Sequence, residues 1–296
     1  MRTVVEARGL RKRFGSFWAL DGLDLEVREG EVHGFLGPNG SGKSTTIRAL
    51  LGQLRLDGGS ARIFGLDCWD DAMAVHRRLA YVPGEVRLWP SLTGGECIDT
   101  LLRFQGTHDR ARRDELVRRF DLDPTKRART YSKGNRQKVA LIAALAAHAD
   151  LLLLDEPTSG LDPLMESTSQ RTVRELTAEG CTVLLSSHQL AEVEALCDRV
   201  SIIRAGRTID TGSLDDLRTQ AQNTVRVTTA APPPALDGMT VLDAQPVPDG
   251  GVRTSARVGA AALPGVVRAL LDAGGTGLVV EPPSLDELFM QHYREP

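Results

Sequence analysis

The sequence lacks the features that mark several classes of protein. Its four cysteines, Cys68, Cys97, Cys181 and Cys197, are scattered with no C-x-x-C pair, so a disulfide framework is not expected and the thiols are read as reduced, in a cytosolic setting. A formal net charge of only -3 over 296 residues gives no general reason to expect nucleic acid as a partner. Local basic runs, Arg110 to Arg113 and Lys126 to Arg129, read as solvated faces. No hydrophobic run is long enough for a membrane span. The most apolar stretch, Val139 to Leu154, is interrupted by His148 and Asp150 and falls short of the ~20 apolar residues a span needs. The N-terminal stretch Met1 to Gly15 is charged and has no apolar core of the signal-peptide type. The chain is therefore expected to be soluble by itself, with any membrane role coming through a partner. There is no solenoid-type repeat. The length leaves room for one large domain and a smaller one, each with its own core.

What is present centres on Gly37-Pro38-Asn39-Gly40-Ser41-Gly42-Lys43-Ser44-Thr45, which fits G-x-x-x-x-G-K-[ST]. Glu31 to Leu36 before it reads as a strand entering a core, and Ile47, Leu50, Leu51 and Leu54 after it recur at helical spacing. Strand, glycine loop and helix N-terminus thus come in the order that anion binding requires. The chemistry of such a loop assigns Lys43 to the β- and γ-phosphates of a nucleotide. It assigns the Ser44 hydroxyl to Mg²⁺ and the N–H groups of Gly40 to Thr45 to phosphate oxygens.

Along the rest of the chain, Thr3 to Ala7 and Leu23 to Val27 alternate like strands, with Arg11 to Gly15 as a turn-bearing connection. Phe14, Phe17 and Trp18 lie upstream of the loop. One is placed to stack on a base, and the other two read as core. Ala61 to Phe64 and Leu79 to Val82 read as strands, Asp70 to Arg78 as a helix, and residues 85 to about 135 as a mostly helical insertion. Val139 to Ala147 is a helix and Leu151 to Leu154 a buried parallel strand that ends at Asp155-Glu156. Two carboxylates at the carboxyl end of such a strand sit where open α/β sheets bind ligands. Met165 to Ala178 is a helix, Thr182 to Ser186 a second buried strand, and His188 stands just past its end. Gln189 to Cys197 is helical, and Val200 to Ile203 with Thr208 to Asp210 forms a hairpin about Ala205-Gly206. The α/β body is expected to end near Gln220. Residues 221–296 then read as a small α+β unit for docking or regulation, with strands at Thr224 to Thr228, Gly251 to Val258 and Leu278 to Val280, and helices at Leu263 to Ala273 and Ser284 to Tyr293.

Lys43, Asp155-Glu156 and His188 follow one another as in a P-loop ATPase, and here residues 3 to 220 resemble the nucleotide-binding subunits of ATP-binding-cassette transporters. Tyr131-Ser132-Lys133-Gly134-Asn135 stands where that family carries L-S-G-G-Q, and Arg136 to Val139 fits its continuation. Ser159 to Asp162 looks like the D-loop, Ser187-His188 the H-loop, and Phe14 the aromatic that stacks on adenine. The resemblance implies an α/β P-loop NTPase core of ABC-ATPase type with an N-terminal antiparallel β region, a helical subdomain and a small C-terminal α+β domain. It implies a head-to-tail dimer with two ATP molecules between subunits, each touching the P-loop of one chain and Ser132, Lys133, Gly134 and Asn135 of the other. Asp155 would hold Mg²⁺ through water, Glu156 would polarise the attacking water, and His188 would contact the γ-phosphate. Asp162 would act in the D-loop.

Two departures stand out. Gly84-Glu85 occupies the place of the family's Mg²⁺-sensing Gln; Glu85 either takes over through its carboxylate or is a surface residue. Lys133 replaces the first signature glycine, where its charge would help hold phosphate or its bulk would hinder close approach. One cassette without a span implies a separate multi-span permease. Glu281 to Phe289 resembles the tail of ATPases that serve ABC-2-type exporters of drugs, antibiotics or lipid-like molecules. The chain is thus expected on the cytoplasmic, inner face of the membrane, docked by its helical insertion through Leu88, Trp89 and Leu92, although Trp89 fits a core position equally. A soluble cassette ATPase acting on ribosomes or DNA would show two cassettes or long coiled-coil arms. A non-hydrolysing regulator would not need Glu156 and His188.

Overall fold

The structure, a computed structural model, describes residues 2–106, 109–216, 222–248 and 250–281. Two compact units divide between Thr211 and Gly212. In the first, β1 (Thr3–Phe14) and β2 (Phe17–Arg28) form a long antiparallel hairpin. Strands β4 (Gly58–Ile63) and β5 (Leu66–Asp67) extend it to a four-stranded sheet in the order β2-β1-β4-β5. A second sheet has the order β10-β9-β3-β8-β7-β6. Its strands are β3 (Val32–Leu36), β6 (Leu79–Val82), β7 (Leu151–Asp155), β8 (Thr182–Ser187), β9 (Arg199–Arg204) and β10 (Arg207–Ser213). Strands β6, β7, β8, β3 and β9 run parallel in that spatial order.

The central strands β3, β7 and β8 are buried along their whole length, which is why β7 reads as the unbroken run Leu151-Leu152-Leu153-Leu154. One continuous core joins the two sheets. It takes Val5, Leu10, Leu23 and Ile63 from the antiparallel sheet, Phe35, Leu153 and Leu184 from the parallel one, and Ile47 and Leu50 from α1 (Lys43–Leu50). Helix α1 is thereby clamped by packing on its apolar face, which fixes the loop before it. Leu153→Ala should cost about 2–5 kcal/mol, because removed side-chain atoms leave a cavity that this core closes only partly. Denaturant unfolding would measure the loss.

Helix α2 (Ala72–His76) is a single short turn-and-a-half where the sequence suggests a helix from Asp70 to Arg78. The helical insertion contains α3 (Gly94–Phe104), α4 (Arg110–Arg119) and the start of α5 (Lys133–Leu145). Thr93 and Glu96 form a reciprocal capping box at the start of α3. Helices α6 (Pro163–Ala178) and α7 (Leu190–Leu196) complete the unit. Among the described residues no helix is long and apolar enough to cross a membrane. All four cysteines are buried and unpaired.

Three expectations about aromatics need correction. Phe14, Phe17 and Trp18 are all exposed, at 50%, 61% and 42%, so none of them is core. They crowd the tip of the β1–β2 hairpin, where Lys12 and Arg13 cover the Phe14 and Trp18 rings. The connection expected over Arg11 to Gly15 is itself mostly strand. Trp89 is 43% exposed, which removes its core reading; Leu88 and Leu92 beside it are half-buried.

In the second unit, β12 (Met239–Pro246), β13 (Val252–Val258), β11 (Asn223–Thr229) and β14 (Thr276–Glu281) form an antiparallel sheet in that spatial order. Helix α8 (Leu263–Asp272) packs Val266 and Leu270 against Val225, Val227 and Val258. The expected helix over Ser284 to Tyr293, and all but the first residue of the tail motif Glu281 to Phe289, lie outside the described residues.

Candidate functional site

The register of the parallel sheet assembles the site. Leu36 pairs with Ser187, Ser186 with Asp155, and Leu154 with Val82. The carboxyl ends of β3, β8, β7 and β6 therefore lie side by side. This edge carries the glycine loop, His188, Asp155-Glu156 and Gly84 in adjacent positions.

The loop runs from the end of β3 into α1, whose N-cap is Gly42 at φ 114° with no side-chain cap. A side chain there would be strained, and its Cβ would lie 2.9 Å from the Ala19 carbonyl oxygen. With no side chain capping it, the positive end of the helix dipole is available to an anion. Lys43 is 6% exposed, and its Nζ donates to the carbonyls of Gly37 at 2.5 Å and Pro38 at 3.1 Å. Burial pushes its pKa down, against the opposing pull of Glu156 and Asp155. Ser41 and Gly42 are also buried, whereas Asn39, Gly40 and Ser44 are exposed and Pro38 and Thr45 half-buried.

Asp155 is 8% exposed. Burial pushes its carboxyl above the ordinary value of 3.8 and Glu156 adds to the rise, while the Ser186 and Ser44 hydroxyls and Lys43 work against it. The charged carboxylate thus costs folding free energy at neutral pH. An acid raised in the folded state carries no such cost below its unfolded pKa and the full cost above its folded one. Asp155→Asn should raise the melting temperature of the nucleotide-free protein at pH 7, with a gain that shrinks as pH falls toward 3.8. Thermal scans across that range check the sign. The same carboxylate and the neighbouring Ser44 hydroxyl are the hard oxygen donors that Mg²⁺ prefers. Among the described residues no group of three or more His, Cys, Asp or Glu could hold a metal by itself. The donor set therefore suits an ion that takes its other ligands from phosphates and water.

Glu156 has φ 48°, a left-handed conformation that is uncommon for a non-glycine residue. Its N–H donates to the Ser186 carbonyl at 2.9 Å, and its Oε1 lies 2.9 Å from His188 Nδ1. The turn that carries His188 is held by an acid that sequence reasoning missed. The Ser187 hydroxyl donates to Oε2 of buried Glu192 at 2.6 Å and accepts from the Gln189 N–H at 3.0 Å. Burial pushes the Glu192 carboxyl up. An acid on a short helix reads as solvated, and nothing in the sequence marks this one as buried.

The signature stretch contacts the D-loop turn of its own chain. Ser132 caps α5 by accepting from the Asn135 N–H at 3.2 Å, and Lys133 Nζ donates to Ser159 Oγ at 2.7 Å. In the single chain, the Lys133 ammonium is therefore held by a contact within the chain. Asp162 caps α6 by accepting from the Met165 N–H at 3.0 Å, followed by Pro163 in the first helical turn. Gly84 lies against the end of β7, where a Cβ would sit 3.3 Å from the Asp155 carbonyl oxygen. Glu85 is exposed and pairs with Arg87 at 3.3 Å, as a surface glutamate does.

A phosphate-binding loop beside a buried acid and a His–Glu pair, on the carboxyl edge of a parallel sheet, defines a P-loop ATPase. The ABC transporter family model matches residues 20–159. Daunorubicin resistance ATP-binding protein DrrA3 of Streptomyces coeruleorubidus is 38% identical over 309 residues, covering 97% of this chain and 95% of that protein. Bacitracin transport ATP-binding protein BcrA of Bacillus licheniformis is 34% identical, covering 73% of this chain and 72% of its own. A solved ATP-binding subunit of an ABC transporter superposes with a TM-score of 0.69 at 32% identity, covering 73% of this chain and 92% of that one. A dimeric cassette bound to ADP and Pi gives 0.65 at 25% identity, over 71% and 98%. This chain belongs to the ATP-binding subunits of ABC transporters. It binds and hydrolyses ATP.

Proposed function

We propose that this subunit powers the export of drug- or antibiotic-like molecules through a separate multi-span ABC-2-type permease, lying peripherally on the cytoplasmic face of the membrane. The observation that carries the mechanism is the alignment of Lys43, Asp155, Glu156 and His188 along one sheet edge. The substrate class is suggested by the named relatives, one tied to daunorubicin resistance and one to bacitracin transport.

Phe14 stacks on adenine, and the loop from Gly37 to Thr45 wraps the phosphates, with Lys43 on the outer ones. Ser44 and, through water, Asp155 would hold Mg²⁺, which would supply charge neutralisation at the phosphates. Glu156 polarises the attacking water, and His188 both orients Glu156 and contacts the γ-phosphate. Catalysis of this kind is mainly positioning and charge stabilisation. A second copy, arranged head to tail, presents Ser132, Lys133, Gly134 and Asn135 to the same ATP, and Asp162 lies at the junction. A γ-phosphate bridging two surfaces favours closure, and its hydrolysis removes the bridge. Leu88, Trp89 and Leu92 offer the permease an apolar contact beside Gly84-Glu85. Residues 221–296 form a docking or regulatory domain.

The test first establishes whether an adjacent reading frame encodes a multi-span membrane protein, and then uses vesicles containing that protein with this chain. Daunorubicin accumulation dependent on ATP, and ATPase stimulation by the permease, are expected. Stimulation by ribosomes instead would overturn the reading.

A further inference from the structure

Lys133 stands where the signature of related cassettes has glycine, and it makes contacts that glycine could not. Its ammonium donates to Ser159 Oγ at 2.7 Å. Its methylenes lie over Gly160, where an added Cβ would come within 3.2 Å of Lys133 Cδ and 3.4 Å of Cγ. Gly160 itself has φ +84°, so this surface is bare backbone. One residue on, a Cβ at Gly134 would meet the Gly160 carbonyl oxygen at 2.5 Å, so the two turns touch backbone to backbone. Buried Gln137 adds a hydrogen bond from Nε2 to the Pro157 carbonyl at 2.9 Å. The turn that receives these contacts begins at Glu156 and is closed by Ser159 N–H to the Glu156 carbonyl at 3.1 Å and Leu161 N–H to the Thr158 carbonyl at 2.9 Å.

We propose that Lys133 is a positioning residue that latches the signature turn, which meets the partner's nucleotide, to the turn that begins at Glu156 of its own site. The proposal rests on the head-to-tail dimer described above. In that arrangement each signature turn senses one ATP while the D-loop turn behind it borders the other. A rigid link between the two turns makes closure at one nucleotide adjust the geometry of the second. With glycine at 133 the Gly134 and Gln137 contacts would remain, but the charged cross-link to Ser159 would be lost.

A double-mutant cycle on the full chain tests this. Wild-type turnover should rise with protein concentration and show a Hill coefficient in ATP approaching the number of sites, about two. Lys133→Met keeps the methylenes and removes the donor, and Ser159→Ala removes the acceptor. Each should lower kcat about three- to tenfold, the scale of one hydrogen bond to a charged group, and bring the Hill coefficient toward one. The double variant should be no worse than either single one, and Lys133→Arg should restore cooperativity. Additive losses with an unchanged Hill coefficient would overturn the latch and leave the dimer standing. Wild-type turnover independent of protein concentration would overturn the dimer, and the latch with it.

Discussion

Glu156→Gln abolishes turnover while ATP still binds: this is the expected result with the greatest mechanistic weight. Glutamine keeps the volume and an oxygen that can face His188 Nδ1, now 2.9 Å from Glu156 Oε1. The backbone contact from the Glu156 N–H to the Ser186 carbonyl is untouched. What disappears is a basic carboxylate at the point where water must be polarised. Loss of a positioned general base costs about 10²–10⁴-fold in rate. Phosphate release should fall into that range, with the dissociation constant for ATP changed by no more than about threefold, well under 1.4 kcal/mol. Turnover within a few-fold of wild type would remove Glu156 from the reaction.

The second large effect is on affinity. Lys43 holds a buried ammonium whose protons are shared by two loop carbonyls, Gly37 and Pro38. Burial already works against its charge, so the site gains when an anion arrives. Lys43→Ala removes that cation from the phosphates. Truncating one partner of a buried, hydrogen-bonded charge pair costs about 2–5 kcal/mol. This corresponds to a dissociation constant for ATP weaker by about 30-fold to several thousand-fold. The nucleotide-free fold should lose little, because the desolvated charge is removed along with its contacts. Equilibrium binding of ATP gives the readout, and affinity within threefold of wild type would refute the assignment.

The glycine loop was legible because its flanks agree with it: a buried strand before and an apolar helical stripe after. The Leu151 to Glu156 stretch was legible because a strand buried on both faces shows as an unbroken apolar run ending in acids. The N-terminal hairpin is longer than its sequence pattern suggests, because register shifts between β1 and β2 break the two-residue alternation on which strand patterns depend. Strand β12 has no signature in the sequence. It is an edge strand, exposed along most of its length, with Val241 and Leu242 each 49% exposed, so no buried face imposes a pattern. The beginning of α5 was also missed, because Lys133 to Lys138 is polar and resembles a loop until Ser132 is seen as its cap. Contacts between distant turns, such as Lys133 with Ser159 or Ser187 with Glu192, have no local signature. They appear only when the sheet register brings the segments together.

The four enclosed cysteines make this chain ready for site-directed labelling. Maleimides and nitroxide reagents react with accessible thiolates. Here burial both blocks access and pushes the thiols up, Cys68 and Cys181 to about 12 and Cys197 well above its ordinary value. A single cysteine introduced at an exposed position such as Met73 or Phe104 would then be the reactive one, with no native residue removed first. Spin labels at such positions would report the approach of two copies on ATP addition directly as a distance.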